Sequence, residues 1–174
     1  MDRFDVRLAG LGGQGLLLAG LIMGEASAVH DGKNAVQTIN YAPLARGAPS
    51  RAELVISDSP IYFPEVEDAD ILLAMSQNAY DEFSSRVKPG GIIIIDTDNV
   101  TKFEEIPGLL KYPVSTIAKR ETGRVLTGSI VGLGIISKVT GKVSADALRK
   151  AIRTRAPKGT VELNMKALEA GFII

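Results

Sequence analysis

Gly10, Gly12 and Gly15 stand at G-x-G-x-x-G spacing within LAGLGGQGLLLAG, residues 8–20. The chemistry open to such a pattern is anion capture. Glycine lets the backbone turn tightly and approach a ligand, and a following helix aims its free N–H groups and positive dipole end at a negative charge. The same glycines can instead serve only to let a helix pack close to a sheet. ARGAPSR, residues 45–51, is the second constellation: Arg46 and Arg51 flank Gly47, Pro49 and Ser50. Two guanidiniums on a proline-stiffened loop suit a phosphate or a carboxylate. They equally suit solvent, or acids on a partner chain. Gly12, Gly13, Gln14, Gly15, Arg46, Gly47, Ser50 and Arg51 are therefore the candidate ligand-binding residues, and no residue is assigned a catalytic or metal-binding role.

A dinucleotide makes a further demand that these residues do not meet. An Asp or Glu should end the second strand, about 20 residues past the glycines, to hold the ribose hydroxyls. The segment KNAVQTINY, residues 33–41, offers Gln37, Asn40 and Tyr41 but no acid. Glu25 and Asp31 fall earlier, in a helix and a turn. The reading that stands is a phosphate or other anion, or a partner's backbone. Gln14 adds an amide donor and acceptor at the helix entrance.

Other residues carry weaker signals. His30 sits at a helix end, where it suits the helix dipole. Ser76, Gln77 and Asn78 follow a buried strand and either line the same crevice or begin a helix. Asp96, Asp98 and Asn99 follow IIIID and are candidates for Mg²⁺, with a turn and helix cap as the stronger reading. The basic run at 149–155 suits solvent or an interface.

Composition narrows the classes of function. Lys plus Arg and Asp plus Glu both number 20, so the chain has no electrostatic footprint for nucleic acid and no polybasic face for a membrane. There is no cysteine, which excludes disulfides, Cys-ligated zinc and iron–sulfur clusters within this chain. If the protein serves electron transfer, the redox centres lie on another polypeptide. A single histidine argues against a Ser–His–Asp triad. No segment has signal-peptide character or the ~18 apolar residues of a spanning helix, so a cytoplasmic location is expected.

These candidates must be positioned by alternating elements. Strands are expected at 5–9, 34–39, 51–57, 69–75, 92–96 and 110–114, with a turn at 88–91. Helices are expected at 16–29, 77–87, 130–139, 145–155 and 161–170, the last stopping at Gly171. The length suits one domain over residues 1–174. The pattern indicates an α/β fold, a single doubly wound, mostly parallel sheet with helices on both faces. The glycine loop follows the first strand and the arginine loop the second, so both belong at one edge of the sheet.

Taken in order, GLGGQG at 10–15, NYAPLARGAPSRAELVISDSPI at 40–61, DADILLAMSQNAY at 68–80, KPGGIIIID at 88–96 and PKGTVELNMKALEAG at 157–171 resemble the gamma subunit of 2-oxoacid:ferredoxin oxidoreductases. The resemblance covers nearly the whole chain and is closest to the 2-oxoglutarate branch. Ala42, Ala48 and Ser129 depart from the residues usual in that family, namely glycine, glycine and asparagine. The resemblance implies a complex that oxidatively decarboxylates a 2-oxoacid and passes the acyl group to coenzyme A and electrons to ferredoxin. It places thiamine diphosphate, Mg and the iron–sulfur clusters on partner subunits, which are alpha, beta and, as a further candidate, delta. This chain would support assembly and help close the coenzyme A site, and in isolation would be inactive and open to self-association. Two alternatives remain: a free-standing nucleotide-binding oxidoreductase or regulator, and a purely structural subunit.

Overall fold

A computed structural model describes residues 3–40 and 49–174. Arg46 and Gly47, with most of the 41–50 loop, lie outside them. Six strands form one sheet in the order β2-β3-β1-β4-β5-β6: β1 Phe4–Gly10, β2 Asn34–Asn40, β3 Ser50–Ser57, β4 Ala69–Ala74, β5 Val87–Asp96 and β6 Leu109–Tyr112. Only β3 runs against the rest, pairing antiparallel with both β1 and β2. The sheet is therefore mostly parallel, as expected.

Strand alternation sends even-numbered residues of β1 to one face and odd-numbered ones to the other. Val6 and Leu8 join Leu54, Leu73 and Ile94 under α1 Leu16–Glu25, α3 Val114–Thr122, α4 Gly128–Thr140, α5 Ala145–Arg155 and α6 Val161–Ile173. Ala9 joins Leu72, Ala74 and Ile93 under α2 Gln77–Phe83, the one helix of that face among the described residues. None of the described helices is long and apolar enough to cross a membrane.

Several element boundaries differ from expectation for identifiable reasons. LysProGlyGly at 88–91 is not a separate turn. It is a bulge inside β5, where the pairing jumps from Ala69↔Val87 to Ile71↔Ile92. Gly171 does not stop the last helix, since α6 runs on to Ile173. Its role is close approach: a Cβ there would lie 2.2 Å from the Val131 carbonyl oxygen and 2.8 Å from Gly134 Cα on α4. The expected helix at 16–29 is α1 followed by a π-helical turn, Ala26–His30, and that at 77–87 shortens to α2 and one tight turn. α3 has no counterpart in the sequence reading. Its start is held from a distance, with the Asp96 carboxylate accepting from Ser115 N and Oγ and Asp98 accepting from Thr116 N.

Beneath the sparsely covered face lies Arg7, only 2% exposed. Its Nε donates to Glu53 Oε1 at 2.6 Å, and its terminal nitrogens donate to the carbonyls of Arg86, Val66 and Glu67. Its guanidinium lies 5.0 Å from the Phe83 ring centre. A buried cation survives only when its donors are met this fully.

Two stability predictions follow from these contacts. Gly171→Ala should force α4 and α6 apart and cost roughly 1–3 kcal/mol in a denaturant melt; an unchanged midpoint would contradict the close contact. Arg7→Met leaves the Glu53 carboxylate and three carbonyls without their donor. It should cost roughly 3–5 kcal/mol by the same measurement.

Candidate functional site

The strand register brings the two loops to one place. Gly10, the last residue of β1, pairs with Ser50, the first of β3, and Asn40 at the end of β2 pairs with Arg51. The glycine loop, the end of β2 and the start of β3 therefore meet at the carboxyl edge of β1, where ligands of open α/β sheets bind.

Within the glycine loop the residues divide by task. Gln14 turns back over it: Oε1 accepts from Leu11 N at 2.7 Å and Nε2 donates to the Met75 carbonyl at 3.1 Å. That amide links the end of β1 to the end of β4. It occupies the space beside Gly10, where a Cβ would lie 2.1 Å from Gln14 Oε1. Gly15 is tight against the start of α4, since a Cβ there would come within 3.0 Å of Ser129 Oγ and 3.3 Å of the Leu126 carbonyl. Its φ of +75° is also one that other residues resist. Gly10 and Gly15 are thus explained by packing. Gly12 and Gly13 are not: both are exposed, and a Cβ on either would meet nothing within 4 Å. They border open space at the N-terminus of α1, which has no side-chain cap.

Leu11 belongs to this loop, and the Leu126 carbonyl is the one that Gly15 approaches. Leu11 is 48% exposed and Leu126 is 62% exposed. Ser129 Oγ, buried behind Gly15, has no hydrogen-bond partner among the described residues. Sequence reasoning noted Ser129 only as a departure from a family pattern and passed over Leu11 and Leu126. An exposed apolar residue inside a glycine loop was the available signal for Leu11.

Arg51 goes elsewhere. It shares the face of Ala9, its register partner, and packs 5.3 Å from the Phe83 ring centre. Its nearest anions are Glu53 at 3.4 Å and Glu82 at 3.9 Å. Arg51 is thus joined through Glu53 to Arg7 on the α2 face and not aimed across the edge at the glycine loop. Ser50 stands beside Gly10 by register.

The weaker candidates are taken up by structure. Ser76 caps α2, its Oγ accepting from Ala79 N. Gln77 holds the following loop by accepting from Thr101 N and Lys102 N and donating to the Lys102 carbonyl. Asp96 receives Asn99 and Ser115. Among the described residues no group of three His, Asp or Glu could hold a metal ion. His30 Nε2 lies 3.9 Å from Glu25 Oε1. In the basic run, Arg149 donates to Glu169 at 2.6 and 3.1 Å, which holds the Glu169 carboxyl below the usual carboxylate range.

Comparison with known proteins places the fold in a family. The model of the family described as pyruvate ferredoxin/flavodoxin oxidoreductase matches residues 5–174. The 2-oxoglutarate synthase subunit KorC of Methanocaldococcus jannaschii is 44% identical over 173 residues, covering 98% of this chain and 92% of that protein. The crystal structure of a keto/oxoacid ferredoxin oxidoreductase gamma subunit from Geobacter sulfurreducens PCA superimposes with a TM-score of 0.88 at 42% identity, over 99% of this chain and 96% of that one. The 2-oxoglutarate:ferredoxin oxidoreductase of Magnetococcus marinus, solved with 2-oxoglutarate, coenzyme A and succinyl-CoA bound, shares the fold at a TM-score of 0.83 and 19% identity. That match spans 99% of this chain and 31% of the other. A doubly wound chain matched across nearly its full length, with its glycine loop opening at the sheet edge, belongs to the pyruvate ferredoxin/flavodoxin oxidoreductase family.

Proposed function

We propose that this chain is the gamma subunit of a 2-oxoglutarate:ferredoxin oxidoreductase. Such a complex oxidatively decarboxylates the 2-oxoacid, transfers the acyl group to coenzyme A and delivers electrons to ferredoxin. The observation that carries this reading is the 44% identity, over 98% of the chain, to a 2-oxoglutarate synthase subunit of matching length. Thiamine diphosphate, Mg and the iron–sulfur clusters belong to the alpha, beta and delta partners. A chain without cysteine has no thiolate to ligate a cluster, which supports that division.

This chain's own contribution is at the glycine edge. The N–H groups of Gly12, Gly13 and Gly15, at the positive end of α1, take an anionic group of coenzyme A. The fit rests on the open space over Gly12 and Gly13. Gln14 acts from behind by holding the loop in shape, with both ends of its amide bonded to backbone. Ser50 borders the same edge, and Arg46 and Gly47, outside the described residues, are proposed as further anion ligands from the sequence alone. Arg51 anchors the base of that loop through Glu53 and Phe83. The exposed Leu11 and Leu126 favour a protein surface closing over the ligand from a catalytic subunit. No bond-making step is assigned to this chain.

Purification of the intact complex tests the assignment. The chain should co-purify with a thiamine-diphosphate subunit, and its removal should abolish coenzyme-A-dependent turnover. Gly12→Ala tests the site itself. Gly12 has no positive φ and its Cβ would meet nothing in the free chain, so the melting temperature should stay the same. The added methyl then occupies the anion's place, and the KM for coenzyme A should rise about tenfold or more with kcat little changed. Lost assembly with an unchanged KM would make the loop a subunit contact instead.

A further inference from the structure

The loop joining β3 to β4, residues 58–68, lies at the opposite end of the sheet from the glycine loop, because β3 runs antiparallel to β1. β1 spans seven residues, so at about 3.3 Å per residue the two ends stand roughly 20 Å apart. The loop reads DSPIYFPEVED and holds no Lys or Arg.

Its apex is aromatic and open. Tyr62 is 92% exposed and Phe63 is 49% exposed. Its backbone is nonetheless held firmly. Arg3 donates to the Phe63 carbonyl at 2.7 Å and to the Glu65 carbonyl at 2.6 Å, with its guanidinium 5.9 Å from the Phe63 ring centre. Arg7 donates from below to the carbonyls of Val66 and Glu67. Arg7 of β1 and Arg3, just before the strand, thus clamp four carbonyls of one loop. An exposed aromatic on a clamped backbone loses little freedom when it docks, which is the usual property of an interface anchor. Nothing in the fold requires Tyr62 to stand in water. Around it, the carboxylates of Glu65, Glu67 and Asp68 are exposed and enter no hydrogen bond or ion pair among the described residues.

We infer that residues 58–68 form a second docking surface, whose occupant is another subunit of the oxidoreductase presenting an apolar cleft rimmed by Lys or Arg. This rests on the gamma-subunit reading above. Charge argues against a second copy of this chain. A two-fold contact would set the three acids against the same three acids. Two cations of the chain's own basic run are also engaged, Arg149 on Glu169 and Asp146 and Arg155 on Glu25. With one partner at the glycine edge and another at the aromatic ridge, the chain bridges two subunits along its strand direction.

The test uses the complete complex, co-expressed with an affinity tag on this chain. Tyr62→Ala and the triple variant E65K/E67K/D68K change only exposed side chains, so the circular dichroism and melting temperature of the isolated chain should match wild type. Each should weaken recovery of a partner subunit about tenfold or more in a dilution series. The salt dependence of assembly should be shallower in the triple variant. Complex that remains assembled should keep the wild-type KM for coenzyme A, because the glycine edge is remote. Wild-type assembly by both variants would overturn the inference. So would an isolated chain that sediments as a dimer dispersed by Tyr62→Ala, with recovery of the other subunits unaffected. If the wild-type chain recovers no thiamine-diphosphate subunit, the gamma-subunit reading fails first and this inference with it.

Discussion

One buried guanidinium organises the face of the sheet that helices leave bare. Arg7 projects from β1 into a region that, among the described residues, α2 and the 58–68 loop cover. It bonds to a carboxylate on β3, to two carbonyls of that loop and to a third just before β5. A charge so placed is tolerable only with every partner in position, so it specifies their arrangement. On the other face, five helices bury apolar side chains and need no such device. Phe83 carries the arrangement further, with Arg7 and Arg51 both stacked on its ring. In this way the base of the arginine loop and the underside of the aromatic ridge depend on the same few side chains.

The glycine motif acquires a different meaning in three dimensions. In a dinucleotide fold its three glycines serve the turn, the pyrophosphate and the helix contact. Here Gly10 makes room for the Gln14 amide, and Gly15 lies against the start of α4. Gly12, together with the extra Gly13, is left facing open space. The amide of Gln14 links two parallel strands at their carboxyl ends and sets the height of the loop above the sheet. Among the described residues the glycine loop itself, residues 10–15, offers backbone N–H groups and no titrating side chain.

Much of this was legible in the residues. The apolar runs ILLAM and IIIID mark central strands because only strands buried on both faces lack polar alternation. Ser144 and the periodicity after it place α5 at 145–155, the boundaries observed. The missing acid after β2 weighs against a dinucleotide on residue type alone. α3 escaped notice because its start is satisfied by Asp96 and Asp98 from the end of β5, so the local cap residue that normally announces a helix is absent. Gly171 read as a stop because glycine after a helical run usually is one. Only the neighbouring α4 shows that it is a point of contact.

By itself, then, the sequence determined the α/β class, the candidate ligand loops at the ends of the first two strands, the family, and the absence of thiolate ligands. Each depends on residue type or on local periodicity, which need no knowledge of distant neighbours. Tertiary structure decided the orientation of β3, and with it which loops share an edge and which lie at opposite ends. It also decided that Arg51 turns to Glu53 and Phe83, and that the Gln14 amide bonds the backbone of Leu11 and Met75. Those outcomes are set by which side chains compete for one another across the sheet, and strand register, which fixes that competition, is a property of the assembled fold.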